Sequence, residues 1–330
     1  MNRRRWPVLA GSFAALLLSL AACVAARVEL PAAPVAAGPA IAVQTTTVSL
    51  DPADAARTAV GAFTFAGGIA VTSDQSSRLH GLSDMIIEGG DRLTAVSDDG
   101  DLFTGRLVLD GKGRLVGLTE GALRPLTGLT GQPVQGKDWG DAEGLARLGN
   151  GDLLVSFERQ HRIWRYTANG RARPVRQPLA RMANNDGMEG LAAAATLSAD
   201  GYWVGIEPGD IWYCALKVTC IPQDGLPKPG PGWRLSGLTT GPNGELVILH
   251  HSWSPVLGSR IEVLVVKSPA GTKTVIGQFK LAPPLTTDNF EGLAIVPLSD
   301  SIWRIYLLSD DNFSPTQRTL LLAFDWTPPK

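Results

Sequence analysis

Cysteine is scarce in this 330-residue chain, which has only Cys23, Cys214 and Cys220, and no spacing among them resembles a zinc site or a redox Cys-x-x-Cys pair. Neither sign of charge is in excess, the formal net charge being −1. That balance argues against a nucleic-acid partner and against general attraction to a membrane surface. There is no Gly-x-Ser-x-Gly elbow, no defensible Ser/His/Asp order, no Gly-rich phosphate loop and no dinucleotide fingerprint. No long helical periodicity occurs either. Chemistry in this chain has to come from other side chains on a scaffold of strands.

What the chain does have is repetition. A first element reads His80-Gly81-Leu82, Glu143-Gly144-Leu145, Glu189-Gly190-Leu191, Ser236-Gly237-Leu238 and Glu291-Gly292-Leu293. A second element ends in Asp98, Glu158, Glu207, His251 and Asp310, at steps of 18, 15, 18, 15 and 19 residues. Turn residues recur at one phase between them, as in Gly149-Asn150-Gly151 and Pro242-Asn243-Gly244. Arg162-Ile163-Trp164-Arg165-Tyr166 alternates as a half-buried strand does.

Successive first elements lie 63, 46, 47 and 55 residues apart. Four-stranded propeller blades repeat at about 40–50 residues, so the reading is an all-β β-propeller of about five blades. The long first step leaves room for a sixth. The last unit, Glu291 to Trp326, shows only three strands. The run from Phe63 to Val71 is expected to supply the fourth and close the ring with the C-terminal strands.

Innermost strands line a propeller's channel, and the next strand runs back beside them. The phase of the repeat therefore brings His80, Glu143, Glu189, Ser236 and Glu291 to one mouth, with Asp98, Glu158, Glu207, His251 and Asp310 beside them. Seven of these ten are carboxylates, joined locally by Asp99, Asp141, Asp186, Asp288 and Asp311. Like charges packed together raise one another's pKa and need protonation, basic neighbours or a cation. Oxygen donors suit Ca²⁺ or Mg²⁺ better than zinc. Arg159, Arg318, Lys137 and Arg78 are the basic side chains placed to balance the cluster or to hold a phosphate. Trp139 flanks the mouth, whereas Trp164, Trp203, Trp212 and Trp303 read as core.

The N-terminus carries Arg3-Arg4-Arg5 and an apolar run from Val8 to Leu20, too short for a comfortable membrane span. Leu20-Ala21-Ala22-Cys23 resembles the lipobox of bacterial lipoproteins, which implies cleavage before Cys23 and lipidation of it. Val24 follows where that family's inner-membrane members carry Asp, so the expected location is the periplasmic face of the outer membrane. Residues 1–22 then form the signal, 23–60 an Ala/Pro/Thr-rich tether and 61–328 the domain. In an oxidising compartment a local Cys214–Cys220 disulfide is expected.

Asp288-Asn289-Phe290-Glu291-Gly292-Leu293-Ala294, followed by Ser309-Asp310-Asp311-Asn312-Phe313-Ser314 and Gln317-Arg318-Thr319-Leu320, resembles the C-terminal signature of the phytase-like family. Leu79-His80-Gly81-Leu82-Ser83 and Asp141-Ala142-Glu143-Gly144-Leu145 extend the likeness. The resemblance implies a phosphoesterase-like activity with Ca²⁺. Carried over, it makes Glu143, Glu189, Glu291, Asp98 and Asp310 metal or catalytic positions. Joined to the register of the repeat, the reading takes Glu143, Glu189, Glu291 and His251 as catalytic groups and Asp98, Glu158, Glu207, Asp310 and Asp311 as metal ligands. Arg159, Arg318, His80 and Lys137 would then contact a small-molecule ester. His80 and His250-His251 depart from the family pattern. A lactonase or carboxylesterase on the same site stays open. So does a non-catalytic lipoprotein that binds a glycan, peptide or partner protein, and the sequence leaves the oligomeric state open.

Overall fold

The computed structural model describes residues 40–134, 136–167, 171–184, 186–267 and 273–329. The signal segment, Cys23 and the first part of the expected tether lie outside the described residues. Strands β1 (Gln44–Thr47), β2 (Ala59–Val60) and β3 (Phe63–Thr72) come first. A first four-stranded unit follows, made of β4 (Leu82–Glu88), β5 (Arg92–Ser97), β6 (Asp101–Leu109) and β7 (Leu115–Pro125). A short helix, α1 (Lys137–Gly140), leads into the second unit.

The second unit is β8 (Ala142–Arg147), β9 (Leu153–Phe157), β10 (Arg162–Tyr166) and β11 (Ala172–Pro174). The third is β12 (Gly190–Ala193), β13 (Gly201–Gly205), β14 (Ile211–Ala215) and β15 (Val218–Pro222). The fourth is β16 (Arg234–Thr240), β17 (Leu246–Ser254), β18 (Gly258–Val266) and β19 (Val275–Leu281). Last come β20 (Asn289–Ser299), β21 (Ile302–Asp310) and β22 (Leu320–Trp326). β3 pairs antiparallel with β22, Leu320 opposite Ala70 and Asp325 opposite Thr64, and completes a fifth unit from the two ends of the domain.

Inner strands touch in sequence, β4 to β8 to β12 to β16 to β20, and β20 returns to β4. The architecture is an all-β propeller. Among the described residues its core divides into five clusters, one at each junction between neighbouring units. Val96, Leu102, Phe157 and Trp164 fill the first junction, and Leu154, Ile163, Tyr202 and Val204 the second. Met85, Phe103, Tyr306 and Leu321 seal the junction between the fifth unit and the first. Each large apolar side chain buried there contributes about 1.5–3 kcal/mol of transfer free energy.

The repeated glycine now has a physical reason. A Cβ at Gly144 would lie 2.7 Å from Leu191 Cβ, and one at Gly190 would lie 2.5 Å from Leu238 Cγ. At Gly237 it would meet Glu291 O at 2.4 Å, and at Gly292 it would meet Asp84 Cα at 3.2 Å. Each of these glycines thus clears space for the inner strand of the next unit where the strands converge on the axis.

Two expectations need correction. The tether does not run to residue 60, because the chain is packed from residue 40 onward. β1 pairs with β3, Leu50 is fully buried, and its carbonyl accepts the Thr286 N–H at 2.8 Å. The first unit is also out of register with His80-Gly81-Leu82. Pairing of Leu82 with Ser97 and of Asp84 with Val96 matches that of Phe290 with Ser309 and Gly292 with Leu308. Ser83 therefore occupies the position of Glu291, and Asp84 that of Gly292. Cys214 and Cys220 form a disulfide across the β14–β15 hairpin, with an S–S distance of 2.00 Å.

Candidate functional site

A shared local irregularity presents three of the first-element side chains to the channel, while Glu189 directly precedes β12. A β-bulge falls between Ala142 and Leu145, between Leu235 and Gly237, and between Phe290 and Gly292. A bulge leaves one residue unpaired and re-aims it, which turns Glu143, Ser236 and Glu291 toward the axis. The second-element acids stand where β5, β9 and β13 give way to turns, at Asp98, Glu158 and Glu207, while Asp310 is the last residue of β21.

These side chains meet. A cavity of about 240 Å³ is lined by Asp98, Glu143, Glu158, Glu189, Glu207, Glu291 and Asp310, together with Lys137, Arg159 and Asn312. The acids come from the first, second, third and fifth units, and the fourth contributes none. Seven carboxylates therefore face one small space against two cations.

An ion-pair chain runs along one side. Lys137 Nζ donates to Asp98 Oδ2 at 2.5 Å and lies 3.1 Å from Asp141 Oδ1, a charge contact without hydrogen-bond geometry. Arg159 Nε donates to Asp141 Oδ2 at 2.6 Å. Burial alone would lower the Lys137 pKa, but Asp98 and Asp141 raise it above the ordinary lysine range. On the opposite side Asn289 Nδ2 donates to Glu291 Oε1 at 2.7 Å, and Asp310 Oδ1 accepts the Asn312 N–H at 2.7 Å. Among the described residues, no hydrogen-bond donor reaches the Glu143 or Glu189 carboxylate.

Burial, then the neighbouring Glu189 charge, pushes Glu143 well above the usual glutamate range, and burial, then the Glu291 charge, does the same to Glu189. Burial likewise raises Glu291 and Asp310 strongly, with the Asp310 and Asp98 charges respectively adding to it. Glu158 and Glu207 are held at about 7, again chiefly by burial. Asp98 is raised by burial against the pull of Lys137.

Asp141, Glu143 and Glu158 present carboxylate oxygens within 4.8 Å of one another, close enough to share an ion. Asp141 is ion-paired with Arg159 and Lys137, which among the described residues leaves Glu143 and Glu158 as the members of this trio without a basic partner, open to a further cation. The lining offers oxygen alone, with no imidazole or sulfur, and this donor set fits Ca²⁺ or Mg²⁺.

Four expected site residues fall outside this cavity. His251 occupies the position of Asp310 in its unit, but β17 runs on to Ser254 instead of turning, so His251 stays in the ladder opposite Arg234 and Ile261. Burial and the nearby Arg260 push it down to about 4. His80 lies beside the mouth with its ring 3.8 Å from that of Phe313 and Nε2 3.5 Å from Asp99 Oδ2. Asp311 is a scaffold carboxylate, accepting from the Gly81 and Phe313 N–H groups and from Thr319 Oγ1. Arg318 lines a neighbouring groove, 3.8 Å from Asp288.

Sequence reasoning passed over Asp84 and Asn312. Fully buried Asp84 accepts the Met85 and Leu145 N–H groups at 2.7 and 2.8 Å and that of Leu293 at 3.3 Å, which ties the first, second and fifth units together below the cavity. Its one signal was an acid inside the apolar run Leu82–Ile87. Asn312 and Phe313 both hold left-handed backbone, φ 50° and 54°, a conformation that persists where the surroundings enforce it.

A family profile described as "Phytase-like: Esterase-like activity of phytase" matches residues 77–313, which include all seven lining carboxylates. The chain belongs to the phytase-like family. No protein of curated function matches it in sequence. Solved structures similar to this phytase-like chain include a presumed gluconolactonase, at 11% identity and TM-score 0.45, covering 89% of this chain and 92% of that one. Virginiamycin B lyase from Staphylococcus aureus, with quinupristin, matches at 10% identity and TM-score 0.40, covering 86% and 99%. A luciferin-regenerating enzyme matches at 11% identity and TM-score 0.42, covering 84% and 95%. Likeness at this level says nothing about substrate.

Proposed function

We propose that this phytase-like protein is a metal-dependent ester hydrolase that works in the acidic cavity at the channel mouth. The observation that supports the reading is the convergence of seven carboxylates and two cations on about 240 Å³. Glu143 and Glu158 with Asp141, flanked by Asp98, Glu189, Glu207, Glu291 and Asp310, would hold a Ca²⁺-type cation, which when bound polarises a phosphoryl or carbonyl oxygen. Lys137 and Arg159 fix the Asp98–Asp141 side of the cavity and place positive charge beside the reacting group. In the metal-free protein Glu158 and Glu207, at about 7, exchange protons near neutrality. A phosphoric ester is the favoured substrate class, and a lactone or carboxylic ester would use the same groups.

The Lys137 and Arg159 ion pairs favour a second reading for part of the ring, in which Asp98 and Asp141 are scaffold within a binding module. An ester panel separates the two. Metal-stripped and Ca²⁺-replete protein would be assayed on 4-nitrophenyl phosphate, its diester, inositol phosphates, 4-nitrophenyl acetate and gluconolactone. We expect turnover on at least one that needs metal and is abolished by Glu143→Gln. Stoichiometric Ca²⁺ with no turnover on any of them would refute the hydrolase. Lipidation at Cys23 would hold the domain at the periplasmic face of the outer membrane, a placement that fails if labelled palmitate incorporation survives Cys23→Ser.

A further inference from the structure

The fourth unit adds no acid to the cavity, and beside that gap lies a second space. A groove of about 610 Å³ runs between the fourth and fifth units, and Asn312 lines both it and the acidic cavity. Asn289 lines the groove while donating to Glu291 in the cavity, so the two spaces also share a hydrogen bond. The smaller space suits a reacting group and a cation. The larger falls within the range of small-molecule sites and has room for the rest of a substrate.

The groove's lining differs in kind from the cavity's. Its polar groups are mostly neutral, with amides at Asn289, Asn312 and Gln317 and hydroxyls at Thr287 and Ser314. Amides and hydroxyls both donate and accept, as the hydroxyls of a sugar do. Thr287 Oγ1 is buried with no hydrogen-bond partner among the described residues. The charged residues lining it, Asp288 and Arg318, stand 3.8 Å apart and offset each other. At its edge Trp253 exposes 62% of its surface on the β17–β18 hairpin. A wide, flat apolar face beside neutral hydrogen-bonding groups matches a pyranose, whose C–H face is apolar and whose rim is hydroxylated. A highly phosphorylated polyanion fits poorly, because the groove holds no unmatched cation and opens beside seven carboxylates.

We propose that the groove binds a carbohydrate, and that the ester cleaved in the acidic cavity is a sugar ester whose ring stacks on Trp253. This rests on the hydrolase reading. Water adds across the ester, the acyl or phosphoryl group takes its oxygen, and the sugar oxygen leaves with a proton.

The test compares kcat/KM for glucose 6-acetate and glucose 6-phosphate with that for ethyl acetate and ethyl phosphate. The sugar ester should be preferred, and Trp253→Ala should cut the sugar-to-ethyl ratio about five- to tenfold, the scale of one lost stacking contact. Gln317→Ala should lower the same ratio, and Trp253→Phe should keep most of it. Equal kcat/KM for sugar and ethyl esters, or a ratio unchanged in both alanine variants, would overturn the proposal. Saturation-transfer NMR with methyl β-glucoside reads the groove without turnover. Transfer that Trp253→Ala abolishes supports the groove even if no ester is hydrolysed, an outcome that sinks only the hydrolase. No transfer to native protein overturns the groove whatever the turnover.

Discussion

Replacing Glu207 by Gln should make the metal-free protein more stable, and increasingly so as pH rises. Burial first, then the Asp186 carboxyl, holds Glu207 at about 7 against an ordinary value of 4.5, with Arg234 pulling the other way. The folded protein therefore binds a proton at this site that the unfolded chain has already released. Wild-type stability falls as pH climbs from above 4.5 through 7, whereas Gln does not titrate. At about 1.4 kcal/mol per pH unit, the variant should gain about 2.5 kcal/mol on wild type between pH 5 and pH 8. Glu207 keeps 21% of its side chain exposed, and solvent screening trims the gain to about 2 kcal/mol. Histidine titrations cancel, because both proteins contain the same histidines. The assay is urea unfolding of both proteins at pH 5, 6, 7 and 8 in EDTA. A difference independent of pH, or a wild type that gains on the variant as pH rises, would refute the reasoning.

Two further outcomes test the scaffold. Gly237→Ala forces a Cβ to within 2.4 Å of the Glu291 carbonyl oxygen and should cost about 3 kcal/mol, while Gly111→Ala, with nothing within 4 Å, should change stability by less than about 0.5 kcal/mol. Urea midpoints check both. Asp84→Ala strands the Leu145, Leu293 and Met85 N–H groups and should cost about 3 kcal/mol or more in urea unfolding, with Asp84→Asn costing less because one acceptor remains.

The fold and much of the site were legible because one physical constraint recurs. Inner strands converge on an axis, so each of four units needs a glycine there, and the residue before it, bulged in three of the four, turns inward. That constraint made Gly144, Gly190, Gly237 and Gly292 visible as a signature and carried Glu143, Glu189 and Glu291 with them. The first unit misled because Asp84 stands where the others have glycine, and His80-Gly81-Leu82 imitates the motif three residues early. Repeat phase located His251 correctly, but whether a strand turns or continues is set by its pairing with β18, which periodicity does not encode. The stretch from residue 40 to 60 looked like tether because its strand, Gln-Thr-Thr-Thr, is polar and mostly exposed, and what pins it is Leu50 docking into the core between the fourth and fifth units. Trp253 and the groove had no periodic signal at all, since they belong to a hairpin extension in one unit.

Calorimetric titration of metal-stripped protein with Ca²⁺ at pH 7.5 tests the acidic cavity most directly. Burial raises the pKa of these carboxylates, and they must be ionised to hold a cation, so binding should be stoichiometric and release protons, read as a heat that changes with buffer ionisation enthalpy. Glu143→Gln with Glu189→Gln should abolish that binding in a protein that remains folded. A folded wild-type protein that takes up no Ca²⁺ or Mg²⁺ at millimolar concentration, or one that binds equally well with both glutamates replaced, would contradict the account.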